Sequence, residues 1–468
     1  MTKCFVEDEI DQSLLMPPSL HEWLPENHLA RFVADLVKNL DLSAFYAAYE
    51  ADGRGQAAYH PVMMVRLLVY GYCIGVTSSR QIEKRTYEDV AFRYLSADEH
   101  PDHSVISEFR KRHLRALAGL FVQALRLCQK AGLVKLGHVA VDGTKVQANA
   151  SKHKAMSYGR MTEAEERLEK EVEELLKRAE ATDAAEDERE QQGQTDKLPD
   201  ELARRESRLK KIQEAKAALE AEARQKAEEE KAAAEAKIAA RRQQEEETGK
   251  KMGGRPPQVP DPEKAVPEDK AQRNFTDMDS RIMPDGAHKG SFVQAYNAQI
   301  VVDAAAQIIV AADITQEAND KQQLAPMLEQ AEQNMGAKPA AASADTGYSS
   351  TAQITDKRVE GINLHVAQER QKHGASPESG TKTELAEDAT ALQQMRQKLQ
   401  SEAGRALYKM RKAIVEPVFG QIKECRGFRR FSFRGLEKVR AEWKFVCLTH
   451  NFLKLFRSGK GLQVMAVA

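Results

Sequence analysis

No run of eighteen apolar residues occurs anywhere in the 468-residue chain, so no transmembrane helix is expected. The start, Met1 to Ile10, lacks a basic stretch followed by an apolar core, and no targeting segment is expected there. Five cysteines (Cys4, Cys73, Cys128, Cys425 and Cys447) are scattered and never stand as Cys-x-x-Cys. That pattern argues against a structural zinc and against disulfides, and for reduced thiols in a cytosolic compartment. His288, His365, His373 and His450 share no close metal-ligand spacing. Net charge is also lacking, at -1, but this balance conceals asymmetry: acids crowd the middle, and the last sixty residues carry roughly fifteen Lys and Arg against about four acids.

What is present divides by periodicity. Residues 12 to about 130 read as helical, with Leu29, Phe32, Val33, Leu36 and Val37 on one face and Pro61 at a first-turn position. Two later helices, after Thr77-Ser-Ser-Arg80 and after Asp102, begin with polar caps and carry basic residues, as helix-turn-helix modules do. Such charges more often merely solvate a helix face. Residues 161 to 247 are rich in Glu, Ala, Lys, Arg and Gln. Their two apolar stripes (Leu168, Val172, Leu175; Leu202, Leu209, Ile212, Leu219) predict an inserted antiparallel helical hairpin or coiled-coil arm. A Pro- and Gly-rich stretch, 248 to 276, reads as a flexible linker.

The stretch from His138 to Asn149 reads as a buried strand that ends at Asp142, with Gly143 letting the backbone leave sharply. From residue 291 the period is again strand-like: a hairpin turning at Asp303 to Gln307, a helix over Thr315 to Met335, a strand ending at Asp345, and a short strand Ile362 to Ala367. A helix from Ala406 to about Gly420 carries Glu416, with Pro417 as an interruption. The whole predicts an α/β fold with a mixed sheet. Three acids on two strand ends and a helix form a pattern able to hold two hard divalent cations, a pair suited to phosphoryl transfer. Asp313 is the main competitor for a metal position, and Asp279 reads as structural or as a DNA contact.

Four phrases, Val141-Asp-Gly-Thr-Lys145, Phe292-Val-Gln-Ala-Tyr-Asn-Ala-Gln299, Ala344-Asp-Thr-Gly-Tyr348 and Val415-Glu-Pro-Val-Phe-Gly-Gln-Ile-Lys423, resemble DDE transposases of bacterial insertion sequences. The likeness is strongest to the branch numbered eleven eighty-two, related to the four/five superfamily. It implies a ribonuclease-H-like catalytic core (131–160 and 277–460) with an all-α N-terminal DNA-binding domain (1–130), interrupted by the arm. It also implies catalytic and metal-ligating roles for Asp142, Asp345 and Glu416 with two Mg2+ ions, for which Mn2+ can substitute. Expected DNA contacts are Lys145, Tyr408, Arg411, Lys412, Lys423, Arg426, Arg429 and Arg430. Arg411 has the family's spacing from Tyr408, whereas Lys412 has the usual spacing before Glu416, and the choice between them stays open. The implied partners are double-stranded DNA, namely terminal inverted repeats and target, and a second copy in a homodimeric synaptic complex, with no membrane. The implied setting is the bacterial cytoplasm, at the nucleoid. The alternatives are a catalytically inactive, DNA-binding repressor and a structure-selective nuclease on the same fold.

Overall fold

Apolar faces in the N-terminal third fold it into helices. The computed structural model describes residues 19–49, 58–186, 198–248, 257–286, 288, 290–368 and 390–461. Seven helices come first among them: α1 (Leu29–Lys38), α2 (Ser43–Tyr46), α3 (Pro61–Cys73), α4 (Ser79–Glu88), α5 (Val90–Leu95), α6 (His103–Arg112) and α7 (Leu114–Lys130). Pro61 stands at the start of α3, where its missing N–H costs nothing, and Asp102 caps α6 by accepting from the Ser104 amide. The helix α3 is buried almost all round, which makes it the centre of this part.

The chain then enters strand β1 (His138–Gln147). It leaves through β2 (Ala155–Ser157), α8 (Tyr158–Glu186) and α9 (Leu198–Thr248), and returns through β3 (Gln272–Asn274), antiparallel to β2. The two long helices run antiparallel: Lys216 pairs with Glu165, and Arg205 with Glu171. Their apolar seam is separate from the main core and consists of Met161, Ala164 and Leu168 against Ile212, Ala215 and Leu219. The stretch read as a linker is partly anchored, because β3 closes the base of the arm and Arg273 and Arg281 both pair with Glu222. Residues 249–256 of that stretch, and the interval 187–197 between the two helices, lie outside the described residues.

The main sheet is mixed. Strands β4 (Arg281–Pro284), β5 (Phe292–Asp303), β6 (Ile308–Thr315), β7 (Ala341–Ala344) and β8 (Asn363–Val366) join β1 in the order β4-β5-β1-β7-β8, with β6 also on β5. β5 is antiparallel to β1 and β6, whereas β7 and β8 run parallel to β1 and to each other. This order is compatible with a ribonuclease-H-like core. The remaining helices are α10 (Leu324–Met335), the single turn α11 (Thr351–Ile354), α12 (Ala391–Gln400), α13 (Glu402–Gly420) and α14 (Leu436–Arg457). α14 packs on β6 and on α7, so the N-terminal helices and the sheet share one continuous hydrophobic cluster. The polar sequence of residues 370 to 400 reads as a loop plus a helix; the helix is α12, and 369–389 lie outside the described residues.

Three expectations change. β1 continues through Asp142 and Gly143 to Gln147, which places Asp142 in mid-strand, where pairing with Ile300 of β5 keeps the backbone extended. The expected helix over Thr315 to Met335 begins only at Leu324, because Thr315 still pairs with Asn297 and 316–323 form turns. Pro417 does not end its helix. It cannot donate to the Ala413 carbonyl, and the Gln307 side-chain amide supplies that hydrogen bond at 2.9 Å. The helix then runs on as a π-turn, Gln421–Cys425.

The β5–β6 turn is thereby pinned from two helices, since the Gln307 backbone carbonyl also accepts from His450 Nε2 at 3.0 Å and its side chain from Lys454. Burial, and then the Arg426 charge, push His450 down to about 3. A histidine whose pKa is depressed in the folded state contributes stability above its unfolded pKa of about 6.5 and loses it as pH falls toward 3. In denaturant titrations between pH 6.5 and 5, His450→Gln should therefore show a stability slope shallower than wild type by up to about 1.4 kcal/mol per pH unit. Parallel slopes would contradict this account.

Candidate functional site

Register brings two acids together. Because Ala140 pairs with Ser343 in the parallel β1–β7 ladder, Asp142 and Asp345 lie two residues further along adjacent strands. Asp345 follows the last residue of β7 and accepts from the Gly347 amide at 2.8 Å, which fixes its side chain at the strand end. Asp142 accepts from the Gly143 amide at 2.8 Å and from Arg411 Nη1 of α13 at 3.0 Å. Burial pushes Asp142 up to about 6; Arg411 opposes that shift, and the Asp345 charge adds to it. Burial acts to lower Arg411, but Asp142, Tyr408 and Asp345 together hold it above its ordinary value. The Tyr408 ring lies beneath the guanidinium, 6.0 Å from centroid to carbon.

A third acid stands nearby. Asp320, in the turns before α10, accepts from Asn297 Nδ2 and Gln299 Nε2, both at 2.7 Å, and its Oδ1 is 4.0 Å from Lys145 Nζ. Reading 315–335 as one helix hid this residue. The sequence signal was Ala318-Asn-Asp320, a polar pair that favours turns over helix interiors. Gly143 serves this approach rather than a turn: a Cβ there would lie 2.3 Å from Gln299 Nε2 and 2.9 Å from Asp320 Oδ1.

The other expected residues divide. Glu416 is exposed on α13 and makes no hydrogen bond or ion pair among the described residues. Its carboxylate oxygens, with those of Asp142 and Asp345, do not all come within 4.8 Å of one another. Among the described residues the trio that does is Glu83, Asp102 and His103, where the His103 ring and amide tie α6 to Glu83 of α4. Lys423, in the π-turn, donates to Thr144 Oγ1 at 2.5 Å and to the Lys145 carbonyl at 2.8 Å. Burial, then Arg429, lower its pKa. Lys412 is exposed. Arg429 pairs with Glu424, and Arg430 donates to the Gln147 side chain where the chain beyond the π-turn returns to the end of β1. Arg426, expected on DNA, is buried instead and donates to the Val446 carbonyl and to Thr449, which leaves no face for a phosphate. Asp313 is taken by Arg440, and Asp279 accepts from the Leu436 amide at the start of α14. Beside Arg430 lies a cavity of about 540 Å³ whose lining includes Gln147, Lys152, Lys154 and Arg434.

Hard carboxylate oxygens from adjacent strands are the donor set a divalent cation of the magnesium type takes. Asp142 and Asp345 offer such oxygens on neighbouring strands, and Arg411 supplies the counter-charge on Asp142.

Two family models match the chain. Residues 18–112 match a transposase domain (DUF772), and residues 348–456 match a transposase DDE domain. The second contains Tyr408, Arg411, Glu416 and Lys423 and does not reach Asp142 or Asp345. Together they support a DDE transposase, a class whose domains generally use divalent metals. No curated protein and no solved structure matches the chain.

Removing the Arg411 charge leaves a buried carboxylate beside another. Arg411→Met should cost roughly 3 kcal/mol at pH 8 without divalent ions. A carboxylate with a raised folded pKa contributes stability that is fully present below its unfolded pKa and lost as pH rises through the folded pKa, here about 6. The deficit should therefore shrink at pH 5.5, where Asp142 takes up a proton. Urea titrations at the two pH values check this, and an equal deficit at both would contradict it.

Proposed function

We propose that the protein is a transposase that binds the terminal repeats of its insertion sequence and catalyses metal-dependent DNA strand cleavage and strand transfer. The observation that carries this reading is the juxtaposition of Asp142 and Asp345 on parallel neighbouring strands, with α13 of the matched DDE segment packed against β1 through Arg411. In this reading the core is ribonuclease-H-like, Asp142 and Asp345 are ligands, and Glu416, exposed on the helix that carries Arg411, is the third acid. Bound Mg2+ would supply activation of the attacking hydroxyl and stabilisation of the leaving oxygen. Arg411, lying over the Tyr408 ring, holds Asp142 in place, and Lys423 fixes the β1 backbone beyond it.

The DNA path is proposed to follow the basic cavity at the end of β1, with Arg429, Arg430, Lys412 and Lys145 meeting phosphates. Arg430 already lines that cavity. The N-terminal helices, whose α4 and α6 present Ser79, Arg80, Ser104 and Lys111 around a cavity of about 680 Å³, are proposed to read the repeats. A homodimer is proposed to hold the two ends.

Two outcomes test this. With end-bearing DNA and Mg2+, cleavage should fall at least about a hundredfold in Asp142→Ala, Asp345→Ala and Glu416→Ala, as for loss of a group that stabilises transition-state charge. Retained end binding without cleavage by wild type would mark a repressor, and hydrolysis without joining a nuclease. Arg429→Ala and Arg430→Ala should each reduce the slope of log affinity against log salt by about 1, equally for specific and random duplexes. Unchanged slopes would remove these residues from the interface.

A further inference from the structure

Glu442 is a buried carboxylate that the proposed reaction does not use. It stands in α14 at 1% exposure, and its Oε2 accepts from the backbone amides of Ser432 at 2.9 Å and Phe433 at 3.2 Å. Those amides belong to the segment in which Phe428, Phe431 and Phe433 are buried while Arg429, Arg430 and Arg434 are exposed. Two further acids take the amides that follow: Asp277 accepts from Gly435 at 3.0 Å, and Asp279 from Leu436 at 2.8 Å. Carboxylates thus grip the backbone of this segment from inside, and its arginines are left facing outward.

The other oxygen of Glu442 reaches the N-terminal helices. Oε1 accepts from the Tyr72 hydroxyl of α3 at 3.2 Å, and that hydroxyl accepts from Arg110 Nη1 of α6 at 3.1 Å. Arg110, 8% exposed, also donates to the Thr77 carbonyl ahead of α4 at 2.8 Å, and its guanidinium carbon lies 5.1 Å from the centre of the Phe433 ring. Phe433 packs in turn with Leu114 of α7 and Ala441 of α14. A buried arginine and glutamate are weak support for stability, because apolar side chains of similar volume hold a core as well. What the carboxylate supplies is direction: acceptors for two amides on one side and for the α3 hydroxyl on the other.

We infer that Glu442 is a positioning residue which, through Tyr72 and Arg110, ties the basic segment to the N-terminal helices and so sets where Arg429, Arg430 and Arg434 present their charges. This inference rests on the reading above in which that segment meets phosphates. Glu442 itself touches no DNA and acts through the arginines.

The test is a double-mutant cycle on the full chain with a terminal-repeat duplex, read as the slope of log affinity against log salt. Glu442→Gln has one acceptor oxygen in place of two, so the amides and the Tyr72 hydroxyl cannot both keep theirs. Its slope should be shallower than wild type by about 1, and adding Arg430→Ala should then change it by less than about 0.3, against about 1 in the wild-type background. Tyr72→Phe, which cuts the link and leaves Glu442 on the amides, should bring the Arg430→Ala decrement below about 0.5. A residue that only supported the fold would lower the thermal midpoint and leave that decrement whole. Glu442→Gln decides the cycle where its far-ultraviolet circular dichroism matches wild type, and Tyr72→Phe decides it otherwise. An undiminished decrement in the deciding variant overturns this inference and leaves the proposed function standing. No decrement for Arg430→Ala in the wild-type background removes the basic segment from the interface, which overturns that part of the reading and the inference with it.

Discussion

The structure depends on one electrostatic constraint, two partly buried aspartates on neighbouring strands, one within β1 and one just past the end of β7. Asp142 and Asp345 come from neighbouring parallel strands, so the ladder that builds the core also forces like charges together. Burial makes that arrangement expensive, and it persists because Arg411 reaches in from α13 to meet Asp142. α13 therefore does more than cover the sheet. Its position is set by a charge as well as by Ile414, Val415 and Val418, its buried apolar residues.

The surrounding elements serve the same placement. Pro417 would disrupt an ordinary helix, yet here Gln307 takes the carbonyl it frees and in doing so ties the β5–β6 turn to α13. Lys423 reaches from the π-turn to the β1 backbone just past Asp142. Arg426 is committed to the interior and fixes the π-turn against α14. A residue in a basic run can be structural, and charge composition alone does not separate it from its exposed neighbours Arg429 and Arg430.

Strands β1, β5, β6, β7 and β8 and the two helices of the arm were legible in the sequence, because each has a strong apolar period bounded by turn residues, whereas β2, β3 and β4, three or four residues each, carry too short a period to be read. Asp142 was located but misplaced: Gly143 looks like a turn signal, whereas its missing side chain makes room for Gln299 and Asp320 across the sheet. Asp320 was hidden because a helical period extends backward from Leu324 over residues that the β5 pairing keeps out of the helix. The orientation of Glu416 could not be read at all. Helical phase about Pro417 and the following π-turn is set by tertiary contacts to Gln307 and Thr144, both distant in sequence.

The most direct measurement is anomalous diffraction from crystals of the full chain soaked in Mn2+. The account predicts a peak about 2.2 Å from carboxylate oxygens of both Asp142 and Asp345, with the Arg411 guanidinium withdrawn from Asp142. A peak elsewhere, with the Arg411–Asp142 pair unchanged at high Mn2+ occupancy, would contradict it.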